Sequence, residues 1–245
     1  MQTEIWALKS ELESWLSETL KSGSRGKVVI EAFGTPGVGK SYFCDDLHAR
    51  VTENNQSLSY HYIDGYSENR FLRVIFKFSL IFKSCWCRWG LFSMACRIVF
   101  GFSGLKFLIK IKLIFNFLLV FSVIQMRSKQ GRPILLDQGI FQGLWSCCYY
   151  QLGSNVFKEV NPLRELTSQL IKSLNLELLV IIYVSASKKV VVNGLQTRAI
   201  KGSSELNSLQ MDDIERGICA TSNIIDAIND IVNSHPKVKL IEVPR

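Results

Sequence analysis

One stretch of this chain has the residue types and order needed to grip phosphate. Gly34-Thr35-Pro36-Gly37-Val38-Gly39-Lys40-Ser41 follows the apolar run Val28, Val29, Ile30, Ala32 and Phe33. It precedes Tyr42-Phe43-Cys44, where a helical pattern begins that continues to Val51. The order is G-x-x-x-x-G-K-[ST], in the strand–loop–helix setting that this pattern requires. Glycines let the backbone turn sharply and aim successive N–H groups inward, and the helix N-terminus adds partial positive charge. Lys40 is then placed to reach outer phosphates, with the Ser41 hydroxyl as an oxygen ligand for Mg2+. A nucleoside triphosphate with Mg2+ is the implied ligand, held by residues 34–42.

A phosphate loop needs a strand behind it and a second strand beside it. Val28–Phe33 has the β-branched and aromatic character of a strand buried on both faces of a parallel sheet. Pro133-Ile134-Leu135-Leu136-Asp137 is a second apolar run, and it ends in an acid. That is the form of the strand whose Asp steadies the Mg2+ shell, directly or through Ser41. Ser57 to Ile63, Leu178 to Val184 and Val238 to Val243 complete a set of five strands. Helical patterns at 142–152, 161–174 and 208–234 alternate with them. Alternation of this kind predicts a three-layer α/β fold, a five-stranded parallel sheet flanked by helices, in one domain spanning 1–245.

The subclass is narrowed by what is absent. A GTPase would carry N-K-x-D to read guanine, and the chain has none; Ser185-Ala186-Ser187 alone is a weak echo of a GTPase element. A motor ATPase would place Glu after the Walker B Asp, where this chain has Gln138. The remaining pattern resembles the P-loop kinases of the nucleoside and nucleotide kinase group, the thymidylate-kinase-like fold in particular. The resemblance covers 27–53, 58–66, 133–142 and 178–243 in the same order. It implies ATP and Mg2+ as cofactors and a small-molecule phosphoryl acceptor. Lys40, Asp137 and Arg198 would be catalytic, with Ser41 and Asp137 on the metal.

In that group two arginines spaced R-x-x-x-R close over the transferred phosphoryl group. Arg198 falls on the second position, Gly194 on the first, and Lys201 stands near enough in sequence to replace the missing charge. The resemblance also puts Asp64 where nucleoside kinases hold the carboxylate that takes the acceptor's proton. Asp64-Gly65 is equally a common turn pair.

Charge is concentrated in a segment with no counterpart in that group. The net charge is +8, yet from 69 to 136 there is no Asp or Glu and there are twelve Lys and Arg, which leaves the remainder acidic. Arg70, Arg73, Lys77 and Arg88 recur near helical spacing with Phe71, Val74 and Phe78 between them. Leu113 to Met126 is free of charge, long enough for a core or interfacial helix and short for a span. Three readings of 69–132 stand: a packed helical subdomain, a surface for anionic membrane, or a pocket for an anionic or lipid-like acceptor. Charge confined to one segment argues against a specific nucleic-acid partner.

Apolar residues make up 47% of the chain, which excludes disorder. The seven cysteines and the histidines 48, 61 and 235 fit no metal-ligand spacing, so reduced thiols and a cytoplasmic, membrane-peripheral setting are expected. Trp6, Leu8, Leu12, Trp15, Leu16 and Leu20 form an amphipathic helix pattern, without the basic start and continuous apolar core of a secretory signal. Pairing of two copies through helices is a further expectation from the resemblance. The alternative to phosphoryl transfer is a membrane-associated ATP-binding switch or slow ATPase that acts through 69–132.

Overall fold

A computed structural model of the chain describes residues 28–53, 58–61, 89–128, 133–151, 171–200 and 211–244, and the isolated positions 14, 79, 82, 165, 168 and 169. The side chains at 61, 128, 197–200 and 211 fall outside that description. So do Trp6, Leu8, Leu12, Trp15, Leu16 and Leu20 of the N-terminal pattern, Asp64-Gly65-Tyr66, the basic residues Arg70, Arg73, Lys77 and Arg88, and Lys201.

Five strands form one parallel sheet: β1 (Val28–Phe33), β2 (Ser59–His61), β3 (Ile134–Leu136), β4 (Leu178–Ser185) and β5 (Val238–Pro244). Their spatial order is β2-β3-β1-β4-β5. The register sets Glu31 beside Leu136 on one side and Ile181 on the other. Between the strands run α1 (Lys40–Glu53), α2 (Trp89–Gly101), α3 (Phe107–Ser128), α4 (Ile140–Tyr150), α5 (Lys188–Ile200) and α6 (Met211–Ser234). The described part of β2 is three residues long within the expected 57–63, and the sequence pattern started α4 two residues late.

Alternating side chains on the strands divide the core into two. Val28, Ile30, Leu135, Val180 and Ile182 face α1, whose Phe43, Cys44, Leu47 and Val51 lie at helical spacing on its buried stripe. Val29, Phe33, Leu136, Leu179 and Ile181 face the opposite way, into a larger core shared with α2, α3, α4 and α6. This second layer is where the apolar segment goes. Phe117, Phe121 and Ile124 of α3 are almost wholly buried, and each such ring or branched chain contributes roughly 2 kcal/mol in transfer free energy. The N-terminal half of α3 is different, with Phe107, Leu108, Ile111 and Phe115 exposed. By length and hydropathy α3 meets the requirement for crossing a membrane, but half of it is inside the protein.

Because β3 neighbours β1, the loops at their C-terminal ends are brought together. In parallel α/β sheets that edge, outside the carboxyl ends of the strands, is where ligands bind.

Candidate functional site

The loop between β1 and α1 has the backbone that its glycines predict. Gly37 and Gly39 both adopt φ of 91°, a region that side chains with a Cβ avoid. Val38 N–H donates to the Thr35 carbonyl at 3.2 Å, and Phe43 N–H donates to the Gly39 carbonyl at 3.1 Å, starting the helix. Pro36 and Val38 are buried beneath the loop, while Tyr42 projects outward, two-thirds exposed. Lys40 folds over the loop: its Nζ donates to the Gly34 carbonyl at 2.7 Å and the Thr35 carbonyl at 3.3 Å.

Ser41 and Asp137 meet beside the loop. Ser41 Oγ donates to Asp137 Oδ2 at 2.8 Å, joining the loop after β1 to the residue that ends β3. Asp137 is 1% exposed, so its carboxylate is held for an internal partner. A hydroxyl and a carboxylate are hard oxygen donors, the set that suits Mg2+. Among the described residues no group of three or more His, Cys, Asp or Glu gathers anywhere. A metal held here would therefore fill its shell chiefly from phosphate oxygens and water, as Mg2+ does.

Two further residues shape the loop from behind. The Thr35 hydroxyl lies 3.0 Å from that of Thr221 on α6. Trp145 Nε1 on α4 donates to Thr221 Oγ1 and to the Gly217 carbonyl, both at 3.0 Å. A buried hydrogen-bonded chain thus ties the second residue of the loop to two helices of the larger core.

Glu31 is the functional candidate that sequence reading passed over. It sits in the middle of β1, fully buried, on the face turned toward α4. Its carboxylate accepts the Ile140 N–H at 2.7 Å and the Gln142 N–H at 3.0 Å. Gly139, at the N-cap of α4, makes no side-chain cap of its own. Glu31 caps the helix from a neighbouring strand instead, satisfying donors that a helix start leaves open. A Cβ on Gly139 would lie 2.4 Å from the Glu31 carboxyl, so the glycine is what admits it. The Asp137-Gln138-Gly139 turn is held at its far end by this cap, which fixes how Asp137 meets Ser41.

Burial pushes the Glu31 carboxyl up to about 7, against the pull of the Gln142, Ile140 and Phe141 N–H groups and the charge on Lys40. A folded pKa above the ordinary 4.5 means the folded state binds more protons in that window. The contribution of Glu31 to stability is therefore fully present below pH 4.5 and is lost as pH rises toward and through 7. The loss between pH 5 and 8 amounts to about 2 kcal/mol. Glu31→Gln, neutral throughout, should lose correspondingly less stability over that range. Urea midpoints of both proteins at pH 5 and pH 8 check it, and parallel losses would show that Glu31 does not titrate there.

The helix α5 rests directly on the phosphate loop. Val191, Leu195 and the α6 residue Ile214 make a small separate core. A Cβ at Gly194 would lie 2.1 Å from the Gly37 carbonyl oxygen. The position aligned with the first lid arginine thus abuts the loop backbone, with no room for any side chain in this arrangement. Position 198 lies one turn further along α5, and Lys188 at the helix start pairs with Glu215 of α6 at 2.6 Å. The structure thus gathers Gly34 through Tyr42 with Asp137 and places Gly194 against them. Asp64 lies beyond the C-terminal end of β2, outside the described residues.

Five cysteines are among the described residues. Cys44, Cys96, Cys147, Cys148 and Cys219 are free, and burial pushes the Cys44, Cys147 and Cys148 thiols well above their ordinary range.

Strand order, phosphate loop and the Ser41–Asp137 contact define a three-layer α/β P-loop NTPase fold. No family model matches the chain, and no curated protein matches it. Among solved structures it is similar to deoxyadenosine kinase from M. mycoides with bound dATP, at 13% identity and a TM-score of 0.47, over 88% of this chain and 91% of that one. It is also similar to the PezAT chromosomal toxin–antitoxin system of the human pathogen Streptococcus pneumoniae, at 11% identity and a TM-score of 0.42, over 96% of this chain and 78% of that one.

Proposed function

We propose that the protein binds ATP with Mg2+ and transfers the γ-phosphoryl group to a small acceptor, as nucleoside and nucleotide kinases do. The observation that carries this reading is the Ser41 Oγ to Asp137 Oδ2 contact of 2.8 Å, made at adjacent strand ends beside the Lys40 loop. Gly34 to Ser41 present backbone N–H groups to the phosphate chain. Lys40 exchanges the carbonyl groups of Gly34 and Thr35 for phosphate oxygens, and its charge opposes the negative charge that develops on the leaving group. Ser41 and Asp137 would hold Mg2+, which would supply charge neutralisation to the phosphates. Arg198, carried on the helix whose Gly194 touches the loop, closes over the transferred group. Where the acceptor is a hydroxyl, Asp64 takes its proton.

Transfer is favoured over hydrolysis by the residue beside Asp137. Gln138 is exposed there and has no basicity, so position 138 offers no carboxylate to deprotonate water. The second reading, an ATP-gated membrane-associated switch, is supported by the exposed apolar and basic face of α2 and α3. One assay separates the two. ADP and inorganic phosphate are measured from Mg-ATP with the protein alone and with pooled nucleosides, nucleotides, sugars and anionic vesicles. ADP release stimulated by a soluble pool, without matching inorganic phosphate, is the expected result. Stimulation by vesicles alone, with phosphate released, would replace transfer by the switch.

A further inference from the structure

We propose that the hairpin formed by α2 and α3 docks on an anionic lipid surface, lying on it and not crossing it. The inference stands on a different part of the molecule from the phosphate site and does not depend on the chemistry proposed there. On α2, Leu91, Met94, Ala95, Ile98 and Val99 make the buried stripe. The opposite stripe should be polar in a helix that faces water, and it is not. Trp89, Phe92 and Phe100 lie on it, 77%, 38% and 58% exposed. Where α2 turns into α3, Phe107 and Leu108 are 70% and 78% exposed. Lys110 Nζ lies 4.7 Å from the centre of the Phe100 ring, so the end of α2 and the start of α3 present one continuous face.

Large apolar side chains grouped in this way mark a contact surface. The charge around them selects the partner. Arg97 and Lys112 are exposed on the same two helices, Lys106 is exposed in the turn that joins them, Lys110 is half-buried between them, and no acid occurs from 69 to 136. Aromatic and aliphatic residues entering the acyl boundary beneath lysines that stay among anionic headgroups are what such a surface requires. A second copy of the chain would oppose these cations with an identical set, because a twofold interface is self-complementary. The face lies on the bilayer and does not span it, because Phe117 to Ile124 of α3 are already spent on the protein's own core.

The test is flotation of the full chain with phosphatidylcholine vesicles, with and without a phosphatidylserine fraction of about one third. Folding is followed by the melting transition, so that a failure of the nucleotide reading leaves this result interpretable. The native protein should float with the anionic vesicles alone, and less as salt rises. Each lysine near the surface is worth about fivefold in binding, so Lys106→Gln with Lys110→Gln and Lys112→Gln should weaken it roughly a hundredfold. Phe107→Ser with Leu108→Ser should weaken it more than about tenfold and leave the melting temperature unchanged. A folded native chain that stays in the buffer at low salt overturns the proposal, as does flotation that neither variant reduces. A concentration-dependent dimer that the Phe107, Leu108 variant dissolves would assign the face to a second copy instead.

Discussion

Lys40→Ala should give a folded protein whose phosphoryl transfer is roughly a thousandfold slower, the loss expected when a charge aimed at the transition state is removed from a dry site. The structure says why folding survives. Lys40 is 8% exposed, and its amine bonds the Gly34 and Thr35 carbonyl groups of its own loop, which has other anchors. Thr35 remains tied to Thr221, and Val38 remains in the core beneath α1. The cost to stability is that of a hydrogen bond to a charged donor, about 2 kcal/mol. A melting curve and a turnover assay with excess Mg-ATP separate the two effects. If the melt shifts only a few degrees and turnover stays near normal, Lys40 does not touch the transferred group and the mechanism fails.

What made the loop from Gly34 to Ser41 legible in the sequence is that its pattern is local. The loop, the strand before it and the helix after it are contiguous, and the fixed spacing is set by backbone geometry. Asp137 was legible for a related reason: an apolar run ending in an acid marks the C-terminal end of a buried strand. Glu31 was not, because Val28-Val29-Ile30 and Ala32-Phe33 read as an apolar strand with one polar interruption. There was a signal, since a carboxyl in a strand buried on both faces is tolerated only with partners. Those partners are the Ile140 and Gln142 N–H groups, over a hundred residues away, and no periodicity reports a contact of that range. The Thr35–Thr221–Trp145 chain was hidden in the same way. The segment from 69 to 132 was legible only as a set of alternatives. Burial divides α3 between core and surface along its length, whereas amphipathicity is read around a helix. Gly194 was read as a position where an arginine was missing. A glycine inside the pattern Val190-Val191-Val192-Asn193-Gly194-Leu195 also permits the opposite reading, a close approach by another backbone.

That close approach makes Gly194→Ala the sharpest test of how α5 sits. The added Cβ would fall 2.1 Å from the Gly37 oxygen and 3.0 Å from its carbonyl carbon, and both are backbone atoms. A flexible side chain could swing aside, but this loop is pinned. Gly34 packs so tightly on the Val184 carbonyl that a Cβ there would lie at 2.5 Å, and Thr35 is held from α6. The helix must therefore lift from the loop, or the loop must leave its phosphate-binding shape. Overpacking of this kind costs about 1 to 3 kcal/mol, and either route should weaken ATP binding by roughly tenfold or more. Transfer should suffer further than binding, because the displaced helix is the one that carries Arg198. Gly90→Ala is the control. Nothing lies within 4 Å of a Cβ there, so that variant should be neutral or gain up to about 1 kcal/mol of helix propensity. The pair thus separates the general effect of a methyl on a helical glycine from the specific effect of one pressed on the phosphate loop. A Gly194→Ala protein that melts and binds ATP like the native one would mean that α5 stands clear of the loop in solution. Position 194 would then be open to the phosphate site, and the missing arginine would again be a gap in the clamp.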